Sequence, residues 1–81
     1  MIEWKVIGAC FEGEQINLNG VNPWNYSWRL VEANPVMLPH PCYASQEHRF
    51  FVYEIDSDIG TIKFAATELS AGAWGFYIPA S

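Results

Sequence analysis

Apolar and polar residues alternate through most of this chain in short runs, the period of a strand with one buried face. Residues 2–11 (IEWKVIGACF) open this way, with Ile2, Trp4 and Val6 on one face and Glu3 and Lys5 on the other. Gly8 then predicts a bulge, after which Cys10 or Phe11 turns inward. Residues 49–56 (RFFVYEID) carry the strongest strand signal, because Phe, Val, Tyr and Ile suit a pleated, packed surface. A turn at DSDIG leads back through residues 60–66 (GTIKFAA), placing Ile62, Phe64 and Ala66 together. A second turn at ELSAG precedes residues 73–78 (AWGFYI), where Trp74, Phe76 and Ile78 align. These three runs predict an antiparallel meander. Gly75, between aromatic neighbours, predicts a place where a ring lies against bare backbone.

The segment before the meander reads less simply. Ile16 and Leu18 alternate with Asn17 and Asn19, and Asn19-Gly20 is a favoured hairpin turn, so a short strand is expected over residues 15–18. Residues 24–33 (WNYSWRLVEA) fit two patterns. Asn22 followed by Pro23 would start a helix, with Trp24, Trp28 and Val31 at i, i+4 and i+7. The aromatic and β-branched content favours a strand over residues 27–33 instead, and that is the reading adopted. The whole is an all-β chain: a small antiparallel barrel or compact sandwich of five or six strands that ends in a meander.

Composition supports one β-rich domain over residues 1–81. A chain of 81 residues has room for one core, and its 51% hydrophobic content, with four Trp, four Tyr and five Phe, supplies the apolar area such a core needs. Nine acids against four bases (Lys5, Arg29, Arg49, Lys63) give a net charge of −5. Four scattered bases make no phosphate-binding patch, which argues against nucleic acid and anionic membranes and toward a basic protein partner. Residues 1–14 lack the basic start and apolar core of a signal peptide, and no run approaches the roughly 18 apolar residues of a membrane span. A cytoplasmic location is expected, with Cys10 and Cys42 reduced; a Cys10–Cys42 bridge would require an oxidising compartment.

Three clusters invite chemistry. His40-x-Cys42-x5-His48 holds three metal-ligand types, with Glu54 or Cys10 as a fourth, but lacks the paired spacing of structural zinc sites. The same residues could serve a thiolate at Cys42, with His40 or His48 as base and Glu47 or Glu54 orienting it, but the net charge of −5 works against a lowered thiol pKa and no glycine-rich oxyanion loop accompanies the cysteine. The favoured reading is a rigid loop between strands, flanked by Pro39 and Pro41. Asp56-x-Asp58-x-Gly60 is a fragment of a calcium loop whose twelfth position is Thr67 rather than Glu, so a hairpin turn is expected. The segment NLNGVNPWNYSW, residues 17–28, interleaves amides with rings, the chemistry of a recognition surface. Asn22, Trp24, Tyr26 and Trp28 are its candidate binding residues; the alternative is that Trp24 and Trp28 close the core. The function expected is a non-catalytic module that binds a protein and needs no cofactor. The second reading is a small-ligand or metal-binding barrel using His40, Cys42 and His48, with Trp24, Trp28 or Trp74 as a stacking surface. Self-association is expected through residues 49–56 or 73–78 acting as an edge.

Overall fold

The computed structural model describes residues 2–80 and contains six antiparallel strands: β1 (Trp4–Phe11), β2 (Arg29–Leu30), β3 (Val36–Pro39), β4 (Glu47–Ser57), β5 (Gly60–Ser70) and β6 (Ala73–Pro79). The strand order is β1-β6-β5-β4-β2, and β3 pairs with β4. The predicted meander is β4–β5–β6. Its first turn leaves only Asp58 and Ile59 between the paired Ser57 and Gly60, and its second only Ala71 and Gly72 between Ser70 and Ala73. The Ser57 hydroxyl ties the first turn, donating to the Gly60 carbonyl at 2.7 Å and accepting from the Ile59 N–H at 3.3 Å.

Strand β4 belongs to two ribbons. Its second half, Phe51 to Ser57, pairs with β5, while its first half pairs with β3 from Val36↔Phe50 to Pro39↔Glu47. The His40 N–H bonds the Gln46 carbonyl at 2.8 Å, so the alternation of an antiparallel ladder leaves Pro39 at a position where no N–H is needed. The last part of β5 pairs with β6 and not with β4. The β3–β4 hairpin thereby leaves the main sheet and folds across one of its faces. The Tyr77 hydroxyl of β6 donates to the Pro39 carbonyl, a contact that only a strand lying over the sheet can make.

Each face of the sheet therefore has its own cover. Under the hairpin lie Phe50, Ala65 and Tyr77, with Trp4, Val36, Leu38 and Leu69 around them. The opposite face carries Ile55, Phe64, Ala66, Phe76 and Ile78, covered by Leu18 and Val21 from the long connection between β1 and β2. Phe50, Phe64 and Phe76 are fully buried. Each contributes roughly 1.5–3 kcal/mol of transfer free energy, so three rings supply much of what a small sheet needs. Gly75 sits buried where the hairpin touches down. A Cβ there would stand 3.0 Å from Leu69 Cδ1, 3.1 Å from Pro41 Cγ and 3.3 Å from Phe50 Cε2, the close approach of rings to backbone expected from its position.

In β1 the ladder slips between Val6 and Gly8, and Gly8 adopts φ +142°, a conformation that favours glycine. The expected bulge is present. Beyond it Cys10 packs into the main core beside Ile7, while Phe11 points out at 64% exposure. Of the expected inward row, only Trp4 is half-buried; Ile2 and Val6 are 41% and 47% exposed, beyond the cover of the hairpin.

Two predicted strands are corrected. Residues 15–18 form no strand; the chain turns at Asn19-Gly20, but only the isolated bridge Leu18↔Val21 follows. That segment lies on a sheet face, where Leu18 is fully buried and no edge offers a ladder. Of residues 27–33 only Arg29 and Leu30 pair as a strand, with the Val31 N–H still reaching the Val52 carbonyl. The helix-start signal is answered by a single 3₁₀ turn, Pro23–Asn25, capped by Asn22. Strand β3 was not anticipated. It resumes the same edge of β4 after an excursion in which five residues stand against two on the partner strand. Residues 49–56 and 73–78, expected as edges, are interior: β6 lies between β1 and β5, and β4 between β5 and the β2/β3 side. The free edges are β1 and the interrupted β2/β3.

Gly75→Val should lower stability by about 1–3 kcal/mol in urea unfolding, since three side chains from separate elements would have to move. An unchanged midpoint would show that the hairpin does not press on this strand.

Candidate functional site

The tryptophan segment folds inward. Pro23 presets the first helical φ, and the Asn22 side-chain oxygen accepts the Trp24 N–H at 3.3 Å, so one turn forms and places Trp24 and Trp28 side by side at 5.1 Å. Trp28 stands edge-on to Phe64 at 5.0 Å, Trp74 at 5.6 Å and Phe76 at 5.8 Å, geometries that match ring quadrupoles. Its indole N–H donates to the Pro23 carbonyl at 2.9 Å. Trp24 meets Trp74 and Phe76 edge-on at 5.8 and 5.7 Å. Tyr26 is half-buried against the same core. Of the candidate binding residues, Asn22 spends its amide on the cap and the three rings serve as the lid of the main core. Burial pushes the Tyr53 hydroxyl pKa up beneath this lid.

The histidine loop gathers two of its three candidates. His40 and His48 rings lie 5.4 Å apart. His40 Nδ1 accepts the N–H groups of Cys42 at 2.9 Å and Tyr43 at 3.2 Å, so its lone pair is spent on the loop backbone. His48 Nε2 is buried with no hydrogen-bond partner among the described residues. Cys42 is exposed, and no group of three His, Cys, Asp or Glu side chains converges as metal ligands would among the described residues. Cys10 and Cys42 are free thiols on opposite sides of the sheet, Cys10 in the lid-side core and Cys42 beside the Pro41 that rests on Gly75.

The Asp56–Gly60 turn is a hairpin with an ion cluster beside it. Arg29, opposite Glu54 in the ladder, bonds Glu54 at 2.9 Å and Asp56 at 3.0 Å, and the Thr61 hydroxyl donates to Asp56 at 3.0 Å. The guanidinium, aided by that hydroxyl, holds the Asp56 carboxyl below its ordinary range, and Asp56 and Glu54 in turn raise the Arg29 pKa.

At the other end of the sheet lies a surface the residue pattern did not single out. Ala9, Cys10, Phe11, Glu14 and Ala73 line a shallow depression next to the β5–β6 turn. Of three carboxylates at this end of the sheet, each fixed through one oxygen, only Glu14 lines the depression, while Glu12 and Glu68 stand on the lid face with Trp74. Glu14 accepts the Phe11 N–H at 2.9 Å, Glu12 the Trp74 indole N–H at 3.3 Å, and Glu68 the Gly72 N–H at 2.8 Å. The Glu12 N–H in turn bonds the Gly72 carbonyl at 2.7 Å, closing this end. Residues 9–14 and 68–74 contain no Lys or Arg. The thiol of Cys10, one of its lining residues, is a poor nucleophile: burial pushes its pKa up, the Trp24 indole lowers it in part, and the Glu14 charge raises it again. The available signal was the run CFEGE, an aromatic followed by two acids three residues after the bulge glycine Gly8.

Compared with known proteins, the chain matches no family model, no curated protein and no solved structure. Among the described residues, no helix is long and apolar enough to cross a membrane.

Trp28→Ala should cost about 3–5 kcal/mol, comparable to the whole stability of so small a domain, and leave the chain largely unfolded in circular dichroism. A folded variant with intact near-ultraviolet signal would remove the lid from its central role. The Asp56 pair has a defined pH signature. Because the folded-state pKa is depressed, its contribution is present above the ordinary Asp value of about 3.9 and is lost as pH falls through the lower folded value. The stability difference between the parent chain and Arg29→Gln should therefore be constant near neutrality and shrink in acid. A difference that persists below pH 2 would contradict the pairing.

Proposed function

We propose that this chain is a small non-catalytic binding module that takes a protein partner at the Phe11 end of the sheet. The observation that carries the reading is Phe11 itself, 64% exposed beside Ala9 and Ala73 in a depression that Glu14 also lines. An exposed ring next to the fixed Glu14 carboxylate suits a Lys or Arg side chain. Its alkyl stem packs on the apolar floor, its cation meets the ring face and the free Glu14 oxygen pairs with it. Glu14 is already held by the Phe11 N–H, so little side-chain freedom is lost on binding. The net charge of −5 adds attraction at longer range. The raised Cys10 pKa and the engaged His40 nitrogen support binding over covalent chemistry.

Titrating the isotopically labelled chain with a Lys/Arg-rich peptide should shift the amides of residues 9–14 and 73 saturably, and added salt should weaken the effect. Phe11→Ser should reduce affinity about tenfold, a loss of roughly 1.4 kcal/mol. Ile59→Ser, at an equally exposed but distant turn residue, should leave it unchanged. Equal response to a Glu-rich peptide, or shifts unaffected by Phe11→Ser, would overturn the reading.

A further inference from the structure

The sheet has two free edges, and they differ in how they are guarded. The β2/β3 edge is broken by the excursion at residues 31–35 and carries Pro35 and Pro39. The far half of β1 is interrupted by its bulge. Residues 2–6 form a stretch of regular edge that neither proline nor bulge interrupts. The Ala80 N–H bonds the Glu3 carbonyl at 2.8 Å, so the Glu3 and Lys5 backbone groups face β6. By the alternation of antiparallel ladders, the N–H and C=O groups of Ile2, Trp4 and Val6 face outward. Those same residues hold the exposed apolar side chains of Ile2 and Val6 and the half-buried ring of Trp4.

The geometry points to a second copy of this chain as the occupant: two β1 edges pair antiparallel about a two-fold axis at Trp4. Charge complementarity selects both the partner and the register. Outward residues are even-numbered, so they can bond only in registers that set even against even. Centring on Glu3 places Glu3 against Glu3, and centring on Lys5 places Lys5 against Lys5. Centring on Trp4 sets Glu3 against Lys5 of the copy twice, on one face. On the other face it sets Ile2 against Val6 twice and Trp4 against Trp4. Opposite charges in directly facing positions stabilise a strand pair and like charges oppose it. The interface is isologous, as a two-fold pair requires, and short, so the dimer depends on concentration. It lies outside the Phe11 depression and goes beyond the proposed binding role.

Sedimentation of the full chain over a concentration series should show a monomer–dimer equilibrium. Glu3→Lys and Lys5→Glu should each weaken dimerisation about tenfold, because each places like charges opposite one another twice. The double exchange Glu3→Lys with Lys5→Glu should restore it, since the facing positions come from the same sequence. The amide exchange of Trp4 and Val6 in the unaltered chain gives a reading independent of any variant, and it should slow as concentration rises. A mass of one chain at every concentration, the result if this edge receives a strand from a different protein, overturns the inference. So do a dimer indifferent to both single reversals, an exchange that fails to restore it, and Trp4 and Val6 amides whose exchange ignores concentration.

Discussion

A sheet of three long strands can bury a face only if something is laid across it, and in this chain that cover turns on Trp28. Its ring meets Phe64, Trp74 and Phe76 edge-on, and its indole N–H is tied to the Pro23 carbonyl at the start of the only helical turn described. The tie matters as much as the packing. A buried indole N–H without a partner would oppose its own burial, so the turn that delivers the ring also supplies its acceptor. Trp24, Leu18 and Val21 then complete a lid that has almost no strand structure of its own.

The opposite face is covered differently, by the hairpin formed from β3 and the first half of β4. Because β4 continues into the main sheet, cover and sheet are one strand, and their relative position is set by backbone pairing on both sides. Gly75 permits the close contact that follows. Neither cover reaches all of β1. Exposed apolar side chains therefore remain on and just before that strand, at Ile2, Val6 and Phe11, beside the Phe11 depression and the open edge of residues 2–6.

The meander was legible because its strands obey a period of two under a cover: Ile62, Phe64 and Ala66, then Trp74, Phe76 and Ile78, all reach the same core. The bulge at Gly8 and the turn at Asn19-Gly20 were legible from residues that adopt positive φ readily. The segment from 12 to 28 was not, since its shape is set by the sheet it lies on and not by its own periodicity. Strand β3, four residues long and ending in proline, carries too little alternation to announce itself. The same limit affects the candidate site. Rings beside amides describe a core lid as well as a recognition surface, and only the sheet beneath Trp24 and Trp28 assigns their rings to the lid. The pattern also leaves open which of Cys10 and Phe11 turns inward.

The extra residue in β1 acts as a reset of phase. Upstream of it, even-numbered side chains lie on the hairpin side; downstream, odd-numbered ones do, so Cys10 goes under the lid and Phe11 to the surface. Removing one residue at Gly8 would exchange the two, sending the larger aromatic toward the lid and the thiol outward. An aromatic side chain that could be stowed by so small an edit is instead held in water by a glycine in a left-handed conformation. The display of Phe11 is thus decided by the parity of the strand and not by the polarity of its neighbours.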